Sequence, residues 1–539
     1  MKKRIEELPL SPELVERFIQ INKKQWNSAK HTEKYILINF SMVRMQVAWI
    51  IPKLLYAKGI EKETCARPVV FTWKENAVLT GLIESFGIKH IALDDINRKK
   101  IWPCIKALLK TLHFLVFDGT GEGLKKLRVC NVNAGKPIYE DILRTSSLST
   151  IKSARNKICM KKIFHLLWTT YSMDDFCRKH KISFVVCDDL AYHEGLFLNL
   201  FHGYGAEIYN VSSRGNNKII FREDGAIRSG EIKKRRYDEF INQLDEQSIQ
   251  WSERYLKERY QGKNGRSIDR GAFLGKKVLS RDDIIKDQGL APDKKNIVIM
   301  AHTFTDAVFN YGDIYFRDYY DWTEQTLKIA QEVDSVNWIL KPHPTRGAYN
   351  ESKDSIEKMY ERYKKPNIFF LSDDVSAESI KNIADVLITI GGNAGAEFAC
   401  EGIPPVIVGK PYYYGFGYTI EPKNRKEYED CLRKADQIKP LSEDQIKTAK
   451  KVFYLENSDY LKIYKSPYKD EFSTLINKAY SNMENQMGLK YFASNEGSQG
   501  YNNELFQLMI EYFDHNDMKK CDYYKRGVLC AQRGNVESE

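Results

Sequence analysis

What most constrains this chain is a rhythm of short apolar runs alternating with longer amphipathic segments, which occurs twice with a charge-dense interval between. From Tyr35 onward "YILINF" (35–40), "RPVVFTW" (67–73), "KHIALDD" (89–95), "KISFVVCDD" (181–189) and "AEIYNV" (206–211) read as strands. Between them lie helical patterns, among them "MVRMQVAWIIPKLLYAKG", interrupted by Pro52, and "ENAVLTGLIESFG", with Gly87 near its C-cap. The alternation restarts at "NIVIMAH" (296–302) and continues through "NWILKPHP", "NIFFLS" and "DVLITIGG", each followed by a helical segment, to the strand "PPVIVG". Strands separated by helices imply βαβ units and parallel sheets, so the expectation is an α/β chain with two consecutive Rossmann-like domains. The interval from about Arg222 to Ile285 is rich in Arg, Lys, Glu and Asp and reads as the interdomain connection. The expected boundaries are 1–285, including that charged linker, 286–480, and a helix or tail over 481–539.

A chain of 539 residues is too long for one core. Its 42% hydrophobic and 29% charged residues are ordinary for a globular protein and argue against long disorder. The net charge of +11 suits an anionic partner without choosing among nucleotide phosphates, nucleic acid and an anionic membrane. No recognisable module supports nucleic acid. The N-terminus is basic but lacks the apolar segment of a secretory signal, and no apolar run is long enough to span a membrane. Ten scattered cysteines without a CxxC pair fit free thiols in a reducing cytoplasm.

Ligands of parallel α/β sheets bind beyond the carboxyl ends of the strands. Three segments of the second half fall there. In "KPHPT" (341–345) two prolines stiffen the turn and fix His343, which can donate to a phosphate oxygen while Lys341 adds charge; the alternative is a plain strand-ending turn. In "GGNAGAE" (391–397) Gly391 and Gly392 admit close approach or φ > 0, and Asn393 or the following N–H groups can hold an anion. Glu397 faces either a ribose hydroxyl or solvent. The spacing fits neither a dinucleotide fingerprint nor a P-loop, and a ligand-free tight turn is the bland reading. In "GKPYYYGFGYT" (409–419) the aromatic residues, Tyr414 among them, form either a sugar- or base-stacking wall or a packed satellite core.

Groups able to take a proton occur at two further strand ends. "VVCDDLAYHEGL" ends a strand with Asp188 and Asp189, and His193 and Glu194 follow at once. Asp189 is the first candidate and His193 its rival; Asp306 in "HTFTDA", beside His302, is a second site, and either aspartate can instead be a helix cap. Paired aspartates recur at 94–95, 174–175, 188–189, 282–283 and 373–374 without a metal-binding context, so no metal is expected.

"WILKPHP" followed by "ADVLITIGGNAGAEFACEGIPPVIVGKPYYYGFGYT", with the upstream segment 301–327, resembles the capsule polysaccharide biosynthesis family, which includes bacterial Kdo transferases. The resemblance covers about 180 residues of 539 and rests on short motifs in a given order. It implies a GT-B glycosyltransferase: two Rossmann-like domains facing across a cleft, a nucleotide-sugar held by the C-terminal domain, and no metal or resident cofactor. Carried over, His343 with Pro344 and the turn Gly391–Asn393 would contact the phosphate and ribose. Relatives often carry Ser or Thr at that turn, so Gly-Gly-Asn leaves the donor nucleotide open, with CMP-Kdo the family's best-known donor. The acceptor would be a growing surface polysaccharide, capsule or lipopolysaccharide, made at the cytoplasmic face of the plasma membrane. Basic amphipathic stretches over 151–168 and 97–117 fit either an anionic lipid surface or a core-packed helix with a solvated basic face. Rival readings are a CDP-alcohol-dependent polyol-phosphate transferase of teichoic-acid type, a sugar-nucleotide epimerase, and a non-catalytic nucleotide- or glycan-binding partner in an assembly complex.

Overall fold

The computed structural model describes residues 10–26, 29–39, 47–73, 77–98, 100–212, 215–218, 221–222, 225–226, 230–263, 273, 276–309, 311–312, 314–344, 351, 355–372, 375–458, 460, 474–475, 478–479, 482 and 495–533. The chain divides into two compact units, one drawn from Met1–Tyr139, Ser153–Ala226 and Lys462–Glu539, the other from Glu140–Lys152 and Ile227–Leu461.

The first unit is built on a six-stranded sheet of β1 (Lys34–Asn39), β2 (Arg67–Thr72), β3 (Lys89–Ala92), β4 (Lys181–Cys187), β5 (Glu207–Ser212) and β6 (Gly215–Lys218), in the order β3-β2-β1-β4-β5-β6. All neighbours are parallel except β6, which returns antiparallel to β5. Consecutive Ile36, Leu37 and Ile38 are all buried, as they must be in a parallel strand covered on both faces. The apolar stripe of "NNELFQLMIEYF" is not a mobile tail. It lies in the helix Asn495–His515, and its Leu505, Phe506, Met509 and Phe513 share a core with Phe18, Leu54 and Leu55. Phe18 sits 5.0 Å from Phe506 and 4.9 Å from Phe513, ring centre to ring centre. The last helix, Asp522–Arg533, crosses the helix Val47–Thr64 where Gly59 and Gly527 meet; a Cβ on either would overlap a backbone carbonyl of the other helix. That approach is closed to any larger residue. The Val47–Thr64 helix runs through Pro52.

The second unit carries β7 (Asn296–Met300), β8 (Asn337–Lys341), β9 (Ile368–Phe370), β10 (Val386–Thr389) and β11 (Pro405–Ile407), all parallel, in the order β9-β8-β7-β10-β11. Both sheets are therefore doubly wound, the strand order reversing beside β1 in one and beside β7 in the other, which is the Rossmann-like topology expected of each half.

The charge-dense interval is not a linker. It holds the helices Gly230–Phe240, Glu246–Tyr260 and Arg281–Gln288, and the first two pack on the second unit. Tyr237, Leu256 and Tyr260 join a core with Ala396, Ile407, Tyr413, Tyr418 and Phe453. A surface helix with few apolar residues reads as charged sequence, yet each still sends one stripe inward. The sequence-based boundary at 285 thus parts these helices from the sheet they cover. Most of the loop-like "GKNGRSIDRGAFLG" lies outside the described residues. All ten cysteines are free. Among the described residues no helix is long and apolar enough to cross a membrane.

Candidate functional site

In each unit the strand reversal opens a crevice at the carboxyl ends of two central strands, β1 and β4 in the first and β7 and β10 in the second. Asp188, Asp189 and His193 follow β4, and His302, Asp306 and the turn Gly391–Asn393 follow β7 and β10.

In the second unit β7 ends and the chain delivers His302, whose Nε2 lies 3.2 Å from the hydroxyl of Thr389 at the end of β10. The imidazole is walled by aromatic rings, Tyr319 at 4.8 Å, Tyr311 at 5.7 Å and Trp322 at 6.3 Å between centroids. Burial, reinforced by the nearby His343, pushes its pKa down to about 3. The ring is neutral at physiological pH and can give or take a hydrogen bond without carrying charge. The Thr389 hydroxyl also accepts from the N–H of Gly392, at 3.2 Å, so His302, Thr389 and the glycine turn form one hydrogen-bonded patch. His343 and Pro344 leave β8 partly exposed, and Asn393, which follows the glycine turn, is exposed. Thr345 lies outside the described residues. The sequence pointed to His343 and treated His302 only as a neighbour of Asp306. Its position directly after the first strand of the domain, at the reversal point, was the available signal.

The glycines also make room for aromatic rings. Gly392 has φ −64° and neither it nor Gly391 is left-handed. A Cβ on Gly391 would come within 2.8 Å of the Tyr311 ring, and one on Gly409 within 2.7 Å of the Tyr311 Cβ. Lys410 N–H donates to the Tyr311 carbonyl at 2.8 Å. A Cβ on Gly395 would overlap the Tyr413 hydroxyl, which donates to the Gly392 carbonyl at 2.7 Å. The turn is glycine-rich because two tyrosines lie against it.

Two other assignments are corrected and one open alternative is decided. Lys341 is buried, and its ammonium donates to the carbonyls of Ser372 and Val375 (3.1 Å for the latter), so it fastens the chain after β9 instead of offering charge to a phosphate. Glu397 faces neither a ribose nor solvent: its carboxylate lies 2.7 Å from Arg259 Nε, the two side chains only 6% and 10% exposed. The aromatic loop is chiefly core, since Tyr413 and Tyr418 are buried among the helices Glu246–Tyr260 and Glu443–Asn457, while Tyr414 stays partly exposed with Lys410 Nζ 5.6 Å above its ring. Asp306 spends Oδ1 on the Ala307 N–H at 2.8 Å, in the turn that follows His302.

In the first unit Lys53 is almost fully buried and forms an ion pair with Asp188 at 2.7 Å, and it also donates to the carbonyl of Asn39 at the end of β1. Asp189 Oδ1 accepts from the N–H groups of Leu190 and Ala191, at 2.7 and 2.9 Å, which shapes the entry to the helix Tyr192–Gly203. Tyr192 at that entry has φ +58°, an outlier for a bulky residue. His193 does not serve as an open base: it is buried, and its Nε2 accepts from the indole N–H of Trp73 at 3.0 Å. Sequence reading missed Lys53, Asn39 and Trp73, which reach this crevice from three separate elements. Among the described residues no group of three or more His, Cys, Asp or Glu is placed to hold a metal ion.

No protein-family model matches the chain, and no curated protein sequence does. Solved structures with a similar arrangement include the Thermosulfurimonas dismutans KpsC β-Kdo 2,4-transferase, at 12% identity and a TM-score of 0.33 over 50% of this chain and 79% of that one. Another is Anabaena Alr3699/HepE in complex with UDP, at 11% identity and a TM-score of 0.27 over 83% of this chain and 100% of that one. A third is the wall teichoic acid polymerase TagF, at 8% identity and a TM-score of 0.22 over 82% and 88%.

Proposed function

We propose that the chain is a metal-independent GT-B glycosyltransferase that moves a sugar from a nucleotide-sugar to a growing surface polysaccharide at the cytoplasmic face of the plasma membrane. The observation that carries this reading is the patch at the second unit's reversal point, where neutral His302 bonds Thr389 and His343 lies close by. It occurs on the segments whose motifs resemble the capsule polysaccharide family. In this reading the acceptor hydroxyl attacks the anomeric carbon, the bond from that carbon to the nucleotide phosphate breaks, and the acceptor proton passes to a carboxylate. Hydrogen-bond donors set in place before reaction meet the negative charge that grows on the leaving phosphate, without moving as it grows. His343, with its Pro344-stiffened backbone, and His302 take that role, with Asn393 and the Gly391–Gly392 turn beside the ribose and Tyr414 at the rim. Asp189 is the proposed base, with Asp306 as its rival. Lys341 and Glu397 support the site from behind through Ser372 and Arg259.

The test is thermal-shift binding of CMP, CDP, UDP, GDP and ADP to wild type, His343→Ala and His302→Gln. A nucleotide at about 100 times its dissociation constant stabilises by about 2.7 kcal/mol. The expected result is one nucleotide, with CMP the first to test, that stabilises the wild type and loses that effect in both variants. Equal shifts in all three proteins would place the nucleotide elsewhere.

A further inference from the structure

The helix Ile101–Phe117 turns an apolar face to solvent. At 100° per residue Ile101, Ile105, Leu108, Leu109, Leu112 and Val116 fall within about 120° of arc, and all six are exposed, from 38% for Ile105 to 74% for Ile101. Trp102 and Phe117, 73% and 77% exposed, extend that face at its two ends. The opposite face is already used: Pro103, Ala107, Thr111, Phe114 and Leu115 are buried. Lone exposed leucines are ordinary, but a continuous apolar stripe the length of a 17-residue helix marks a contact surface.

The charge on and beside the stripe is mainly basic, although Lys100 is paired with Asp175 and the exposed Asp118 follows Phe117. Residues 100–117 contain three Lys and residues 151–162 five Lys or Arg, with no Asp or Glu in either. The second segment is tied to the first: Arg155 donates to the carbonyls of Leu115 and Asp118, at 2.9 and 2.8 Å, and begins the run into the helix Lys157–Lys179. The first turn of that helix exposes Ile158 and Met160 between Lys157 and Lys161. On the Ile101–Phe117 helix itself Lys106, Lys110 and His113 line one border of the stripe, in the order of the helical wheel. An apolar stripe bordered by cations is the composition of a helix lying in the headgroup region of an anionic bilayer.

We propose that this face docks the protein on an anionic lipid surface, with the apolar stripe in the acyl boundary and the lysines of both helices at the phosphates. A second copy of the chain is the poorer occupant, because a two-fold contact would set lysine rows against one another. The proposal concerns where the protein sits and not the transfer chemistry, so its failure would leave the transfer reading standing and remove only its place at the membrane.

The test is co-sedimentation of the full chain with vesicles of phosphatidylcholine alone and of phosphatidylcholine mixed with phosphatidylglycerol. Binding more than about tenfold tighter on the anionic vesicles, weakened by salt, is expected. Trp102→Gln/Leu109→Gln should lower it by at least about tenfold, and Lys157→Gln/Lys161→Gln should reduce the anionic preference while leaving the melting temperature unchanged. All four side chains are exposed, so both variants are expected to fold; if the first did not, the second still tests the proposal. Equal binding to both vesicle types would overturn the proposal, as would binding indifferent to the variants. A dimer in solution that Trp102→Gln/Leu109→Gln disperses, with no vesicle binding by the wild type, would also overturn it.

Discussion

His302 bonds Thr389 and is ringed by Tyr311, Tyr319 and Trp322, and its acid–base behaviour gives it a measurable signature. Its pKa is pushed down to about 3 in the folded chain, while an unfolded histidine titrates near 6.5. Below that value the unfolded chain binds a proton that the folded chain refuses. Stability therefore falls as pH drops from about 6.5 toward 3, by up to about 1.4 kcal/mol per pH unit for this one group. His302→Gln should flatten that acid limb, as read from urea midpoints between about pH 7 and pH 5; an unchanged limb would mean that the imidazole is not held neutral. Gly391 offers a second test, since packing and ligand access predict different things for it. If the Tyr311 ring is what excludes a side chain, Gly391→Ala costs about 1–3 kcal/mol of stability by overpacking, and much of that is recovered in a Tyr311→Leu background. A glycine kept for a ligand would show unchanged melting and weaker nucleotide binding. Sequence singled out His343, Asn393 and the glycine turn as candidates because turn chemistry is local. It could not assign Lys341 and Glu397, because their partners Val375 and Arg259 lie 34 and 138 residues away.

Between elements, the Arg259–Glu397 pair joins the helix Glu246–Tyr260 to the helix Asn393–Ala399 that follows the glycine turn. Removing one member of a buried pair leaves the other uncompensated, so Glu397→Gln should cost about 3–5 kcal/mol. The double variant Arg259→Met/Glu397→Leu should cost less than the two single changes added, as denaturant midpoints will reveal. Additive losses would mean that the two side chains act separately. The helix crossing at Gly59 and Gly527 carries a parallel expectation: Gly59→Val separates the helices Val47–Thr64 and Asp522–Arg533 and lowers the melting temperature, whereas the same change at Gly87, with open space around its Cα but φ +70°, adds only local backbone strain. All strands of both sheets but β6 were legible from their apolar runs, and helices between them from period; β6 (Gly215–Lys218) has no apolar run to betray it. The helices Gly230–Phe240 and Glu246–Tyr260 were not, because their inward stripes are thin and their exposed faces dominate the composition. The exposed face of Ile101–Phe117 was half legible: basic and apolar residues were visible, but which of its two apolar arcs met the core needed the fold.

At the scale of the whole molecule, two doubly wound sheets each present a polar crevice at the strand reversal, and the residues there differ in kind. The first unit sets a buried Lys53–Asp188 pair beside Asp189, and the second sets neutral His302 beside His343 and an exposed Asn393. In the proposed reading each crevice has its own task, proton removal in the first unit and stabilisation of the leaving phosphate in the second. The most direct test is nucleotide release from CMP-Kdo, UDP-glucose and CDP-glycerol, each with and without isolated surface glycan as acceptor, by wild type, His343→Ala and Asp189→Asn. Glycan-dependent release from a nucleotide-sugar, reduced by roughly a hundredfold or more in both variants, is the result this account predicts. Release from CDP-glycerol alone, or release that neither variant changes, would contradict it.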